Sequence, residues 1–455
     1  MNDPNPNPYA SPQTLSSDPA PAPPLVDHPH PSDRNTWTDG SFWGMVLTQF
    51  LGAFNDNLYK QAILLLMIAV PITPTWTQNL QGVATFCFSV PFILFSGYAG
   101  YLSDRYSKWV VIFLSKVAEI AVMLLALALF FVKGEAAVDL LLAILFSIVA
   151  FLMGTQSAFF GPGKYGILPE LFTDRKLPMV NGVILMTTFL AIIFGTVLAG
   201  VMLQALPDRP WIIGLACVGV AVVGTATTLP VRRHPGASPN LRFTYDEVAI
   251  PGDMRRLLMQ DKPLLAAVTT SSIFWMGAAV AMLAVNDLGE LQLKVGPAAT
   301  SYLVGIISVG IAVGGALGGF LSHGRFRVDF LAIGAWGMTI CLVLLAIPFA
   351  NKDRHLLQYW GSLVVLGLLG GFTGLFAVPL QVFMQMRPPA ALKGRMIATQ
   401  NLLNWIGITA ASLVHLVGDQ IFQRLGWPNC AMFGVTALLV GGIALLYHPK
   451  EVSLH

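Results

Sequence analysis

From about residue 43 to residue 447 the chain is a train of apolar stretches 20–28 residues long, separated by short polar turns. About 20 such residues, rising 1.5 Å each, cross the hydrocarbon of a bilayer. Backbone groups find no water there and must bond within their own segment, so each stretch is predicted to be a helix. The spans read as 43–70, 79–102, 109–132, 138–160, 179–205, 210–230, 264–286, 300–322, 328–349, 357–380, 396–423 and 428–447. Only 11% of the 455 residues are charged and 55% are hydrophobic, whereas soluble domains carry about 25% charge. The expectation is an all-α membrane protein of twelve transmembrane helices.

Placement of Lys and Arg orients it. The connections after even-numbered spans hold 16 of them and the alternate connections hold 6, which predicts both termini in the cytoplasm. The longest connection, 231–263, divides a first half (41–230) from a second (264–447). GYLSDRYSKW from Gly100 and GFLSHGRFRV from Gly319 stand at equivalent places in the two halves. Such an internal repeat predicts two pseudo-symmetric six-helix bundles with a site at the midplane between them. Residues 1–40, rich in Pro, Ser and Asp, read as a disordered cytoplasmic tail, and 448–455 as a short second one.

Chemistry is excluded more readily than found. The four cysteines, Cys87, Cys217, Cys341 and Cys430, sit singly in apolar runs, so neither disulfide nor metal site is expected. No nucleophile elbow, HExxH or Walker loop is present, which argues against an enzyme or ATP drive. No cofactor or nucleic-acid partner is expected.

The first span is the exception to apolarity. It carries Asn55, Asp56, Asn57 and Lys60 at its middle, with Gln49, Asp56 and Lys60 on one helical face. A charge at helix centre costs about 2.5–3.5 kcal/mol and is usually turned to a cavity. An internal Asp–Lys pair is the bland alternative. In span 3, Lys116 and Glu119 at i, i+3 either neutralise each other or offer a cation and an anion to a ligand. His415 and Asp419, at i, i+4, are a candidate proton-sensitive pair. Asn286, Asp287 and Glu290, closing span 7, read as surface residues. Gln381, Gln385, Gln400, Asn401 and Asn404 offer the second half a neutral polar lining.

Gly100, Asp104, Arg105 and Lys108 resemble the loop signature of the major facilitator superfamily, a gating latch. FGPGKYGILPEL, Phe160 to Leu171, is similar to a pattern of the lysophospholipid transporter family within it, as are TQFLGAFNDNLYK in span 1, Val180–Gly182 and Ala398–Asn404. The resemblance covers the chain after residue 40. It implies a secondary transporter moving lysophospholipids, lysophosphatidylethanolamine among them, across the inner membrane toward the cytoplasmic leaflet by alternating access. There a cytoplasmic acyltransferase would reacylate them. Asp56, Asn57 and Lys60, with Gln49, Lys116 and Glu119, would meet the headgroup. Asp104, Arg105, Lys108, Lys164, Tyr165 and Glu170 would gate the path. Two departures stand out: Leu185 replaces an acid of the family pattern, and Ala281–Leu283 replace a basic residue of span 7. The generic motifs equally fit a proton-coupled antiporter of drugs or small metabolites.

Overall fold

The computed structural model describes residues 36–68, 70–73, 76–132, 136–173, 176–235, 250, 252–322, 328–348, 355–389 and 392–447. Most of the predicted tail, the 448–455 tail and the second copy of the loop signature at His323 and Gly324 lie outside these residues. Residues 36–38 form a 3-10 turn leading into the first helix.

Twelve long helices follow the predicted spans: α1 (Gly40–Leu66), α2 (Gln81–Arg105), α3 (Lys108–Phe130), α4 (Ala136–Gly166), α6 (Leu177–Ala205), α7 (Trp211–Ala226), α9 (Lys262–Asp287), α10 (Pro297–Ser322), α11 (Val328–Ala346), α12 (Gln358–Met386), α13 (Lys393–Leu425) and α14 (Ala431–Leu446). Two short helices join them, α5 (Leu168–Leu171) and α8 (Gly252–Gln260). Among the described residues, nine helices are long and apolar enough to cross a membrane by composition alone. α7 and α14 are shorter, and α1 is interrupted by its polar middle.

The starts have local causes. Asp39 caps α1, its carboxylate accepting from Ser41 N at 2.8 Å, and Asp261 caps α9, accepting from Leu264 N at 3.1 Å. α13 ends on Gly426 in the left-handed region (φ +63°). Two boundaries differ from the sequence reading. Span 1 stops at Leu66, because Pro71 bars the helix from continuing; Val70–Thr73 (β1) and Trp76–Gln78 (β2) instead form a small antiparallel hairpin. The Lys164-Tyr165 motif lies on the last turn of α4 rather than in a loop, since the helix runs through Pro162 to Gly166.

α1 begins where α7 ends, with Gly44 against Thr227 and Val231, so the first and sixth spans share one face, here the terminal side. Arg232 fastens this corner, donating to Asp39 Oδ2 at 2.9 Å and Leu171 O at 3.1 Å. Within the first half α1 packs on α6, and α4 on α2 and α3; within the second α10 and α11 pack on α12, and α9 on α13. The halves meet through α6 against α10 and α2 against α13. Gly200 lies on Pro297 and Ser301, Gly82 on Ser412 and Leu416, and Ser89 Oγ receives a bond from Thr409 Oγ1 at 2.9 Å. All these contacts belong to the half of each helix away from the termini, the distal side.

Candidate functional site

The α1 charges are built into the first half but do not cancel each other. Asp56 is half-buried; its Oδ2 accepts from Ser157 Oγ at 2.9 Å and its Oδ1 from Gln156 Nε2 at 3.5 Å, both on α4. Lys60, one turn on, points instead over the Phe88 ring at 5.6 Å from its centroid. Among the described residues Lys60 makes no ion pair, so the bland Asp–Lys pair does not form in this state. Asn57 Nδ2 donates to Ala53 O at 2.8 Å, leaving its oxygen to the site. Phe88 also borders Trp405, which stacks on Phe92 at 3.7 Å across the halves. An anion, a cation and an aromatic floor thus converge where the halves begin to part.

Other predicted residues stand elsewhere. Gln49 is 3% exposed and donates to Thr188 Oγ1 at 3.0 Å. Lys116 and Glu119 close on each other at 2.5 Å, 2% and 1% exposed, and Asn55 Nδ2 donates to Glu119 Oε1 at 2.6 Å. A fully buried, mutually neutralised pair of this kind has little to offer a ligand. Lys116 and Glu119 therefore lie behind the α1 face, and Gln49, on α1 itself, is engaged by Thr188 of α6.

The gating motifs meet each other. Lys108 at the start of α3 pairs with Glu170 of α5 at 2.6 Å, with Gly166 packed on the Lys108 stem. Asp104 is exposed, and Arg105 donates to the Tyr101 hydroxyl while lying over the Tyr106 ring, so among the described residues Asp104 and Arg105 latch to no neighbouring helix in this state. Lys164 sits between the Phe160 and Tyr165 rings, and Tyr165 is 53% exposed on the terminal side.

At the distal side the pairing inferred from spacing is replaced by another. His415 Nε2 lies 2.8 Å from Asp287 Oδ2, whereas Asp419 accepts from Gln423 Nε2 at 2.8 Å. An i, i+4 spacing sets two side chains on one face but does not choose between them and a facing helix. Asn286 and Asp287, read as surface residues, are 1% and 3% exposed. Asp287 Oδ1 accepts from Asn79 Nδ2 at 2.6 Å and Gln81 Nε2 at 2.7 Å; Asn286 takes Gln61 Nε2 at 3.0 Å and gives to Gln81 Oε1 at 2.8 Å. No spacing within the sequence brings this lock of amides and one carboxylate together. Its signal was the coincidence of Gln61, Asn79, Gln81 and Asp287 at span ends on one side.

Comparison with known proteins is consistent at every level. The family model of the Major Facilitator Superfamily matches residues 45–412. A protein named lysophospholipid transporter LplT from Enterobacter sp. (strain 638) is 29% identical over 407 residues, covering 87% of this chain and 92% of its own. Its namesake from Escherichia coli O9:H4 (strain HS) is 28% identical over 436 residues, covering 90% and 97%. Among solved structures, a peptide transporter POT in complex with sulfate superposes with a TM-score of 0.67 at 14% identity, over 91% of this chain and 96% of that one. A nucleoside transporter NupG gives 0.63 at 12% identity, over 88% and 98%. The twelve-helix architecture in two halves and the match across both halves place the chain in the Major Facilitator Superfamily.

Proposed function

We propose that the chain is a secondary transporter of lysophospholipids, moving species such as lysophosphatidylethanolamine toward the cytoplasmic leaflet of the inner membrane by alternating access. The observation that carries this reading is the uncancelled Asp56 and Lys60 on α1. Residues i and i+4 on a helix are separated by about 6 Å of axial rise. A zwitterionic headgroup, with its phosphate and ammonium two carbons apart, offers charges of both signs at a comparable spacing. Lys60 would hold the phosphate, Asp56 the ammonium, and Asn57 their hydration. The names of the similar transporters support the cargo, and the excess of Lys and Arg on the terminal side supports cytoplasmic termini.

Residues 41–230 and 264–447 are taken as the two moving bodies and 231–263 as the linker between them. With the distal side joined, the headgroup leaves toward the terminal side past Lys164 and Tyr165, while the Lys108–Glu170 pair holds that end of the first half together. Asp104 and Arg105, unlatched in this state, would engage when the terminal side shuts. The acyl chain prefers lipid throughout and trails between the halves. A cytoplasmic acyltransferase would consume the product.

A photoreactive lysophosphatidylethanolamine tests the route. Its headgroup is expected to label α1 near Asp56 and its chain the seam between α2 and α13. Labelling by a soluble drug-like probe that displaces the lipid would favour the antiporter instead.

A further inference from the structure

We propose that Asp287 and His415 form a proton-binding site that is complete only while the distal side is shut. The inference rests on the alternating-access reading and adds to it a coupled ion. Asp287 and His415 belong to the second half, on α9 and α13, whereas the amides that hold Asp287 Oδ1, Asn79 and Gln81, belong to the first. The site therefore exists only with the halves together there. All four side chains lie between 0% and 4% exposed.

The charge balance decides what the site takes. Beside Asp287, α1 brings Gln61, α2 brings Gln81 and α10 brings Ser301, all neutral. Lys60 follows the turn of α1 toward Phe88, and Asp56 lies a turn further from the distal side. Glu290, beyond α9, accepts from Thr300 Oγ1 at 2.7 Å, and Asp419 on α13 accepts from Gln423. Among the described residues, His415 is thus the one group in contact with Asp287 that can bring a positive charge. With the imidazole neutral, the shut seam buries a net negative charge; with one added proton the pair is neutral overall. Burial penalises uncompensated charge, so shutting takes up a proton. Opening returns both groups to water, where an imidazole releases its proton above about pH 6.5. The added proton resides on Nδ1, buried and without a hydrogen-bond partner. Ser412 Oγ, one turn earlier on α13 and likewise buried without a partner, is the acceptor it would turn to.

The test measures the distance between spin labels at Arg209→Cys and Lys294→Cys, exposed sites on distal connections of the two halves, after replacement of the four native cysteines. The full chain is held in lipid nanodiscs without lysolipid between pH 6 and 8. The ratio of shut to open forms is expected to rise as pH falls, by up to about tenfold per pH unit for one linked proton. His415→Gln keeps a donor to Asp287 but not the proton; it should be pH-independent and biased open. Asp287→Asn removes the carboxylate that His415 touches and, among the described residues, leaves only Asp419, one turn away on α13, near the ring; it should lose most of the pH slope and be biased shut. A flat wild-type profile, a wild-type slope in both variants, or a shift of both in the same direction overturns the proposal. Adding lysophosphatidylethanolamine separates the two readings. If lysolipid moves the distance and pH does not, the proton site fails alone; if neither does, alternating access fails with it.

Discussion

The distal closure can be challenged with single methyl groups. Gly200 of α6 and Gly82 of α2 sit where the halves touch. A Cβ on Gly200 would stand 2.6 Å from Ser301 Cβ and nearer still to Pro297 O; on Gly82 it would stand 2.5 Å from Leu416 Cγ and 2.9 Å from Ser412 O. Carbon atoms pack best at about 3.5–4.0 Å, so either alanine must part the seam by roughly 1 Å. Overpacking of this size costs about 1–3 kcal/mol, which is about 5- to 150-fold in an equilibrium constant. The cost falls on the shut form alone, because α6 and α10 separate when the distal side opens. Gly214 of α7 is the control: its Cβ would meet Leu127 Cα at 2.8 Å on α3, within one half and away from the seam, and so burdens both forms equally. With spin labels at the distal connections, Gly200→Ala and Gly82→Ala should shift the population toward the open form by the stated factor. Gly214→Ala should lower the melting temperature and leave the ratio alone. A folded Gly200→Ala with an unchanged ratio, or an equal shift in Gly214→Ala, refutes the reasoning.

Three further outcomes follow from buried polar groups. Lys108→Met leaves Glu170, 23% exposed, without its cation, and should cost about 1 kcal/mol after allowance for solvent; the exchange Lys108→Glu with Glu170→Lys should recover part of the loss in detergent melts. Asn55→Leu strands Glu119 Oε1 and should cost about 1–3 kcal/mol, whereas an unchanged melt would mean that the Lys116–Glu119 pair is satisfied without it. His355, between α11 and α12, is 2% exposed, and burial holds its imidazole below the ordinary 6.5 although Leu345 O favours the protonated ring. The unfolded chain then binds the extra proton, so stability is full above about pH 6.5 and falls as pH drops below it. His355→Gln should flatten that part of the melting profile.

Helix number, order and division into halves were legible because a bilayer leaves the chain one way to satisfy its backbone. The boundaries that moved did so at Pro71 and Pro162, where a proline ended one helix and was tolerated in another. Asp56 and Lys60 were legible as unusual from their position alone. That they close no ion pair with each other among the described residues was not, since Ser157, Gln156 and Phe88 come from other helices. Lys116 and Glu119, three apart rather than four, are likewise opposite charges one turn apart, yet they close into a pair, because they face Asn55 inside the half. The Asp287 lock was hidden for a related reason. Its members come from three separate stretches of chain, and a polar residue at a span end looks like surface until the opposing half is placed.

The central claim is tested most directly by lysophosphatidylethanolamine uptake into proteoliposomes containing the wild type, Asp56→Asn or Lys60→Gln. The account predicts transport by the wild type and its collapse in both variants, each of which removes one charge of the α1 site while keeping a polar side chain of similar length. Wild-type transport that survives both substitutions, or folded wild-type protein that carries no lysolipid, contradicts it.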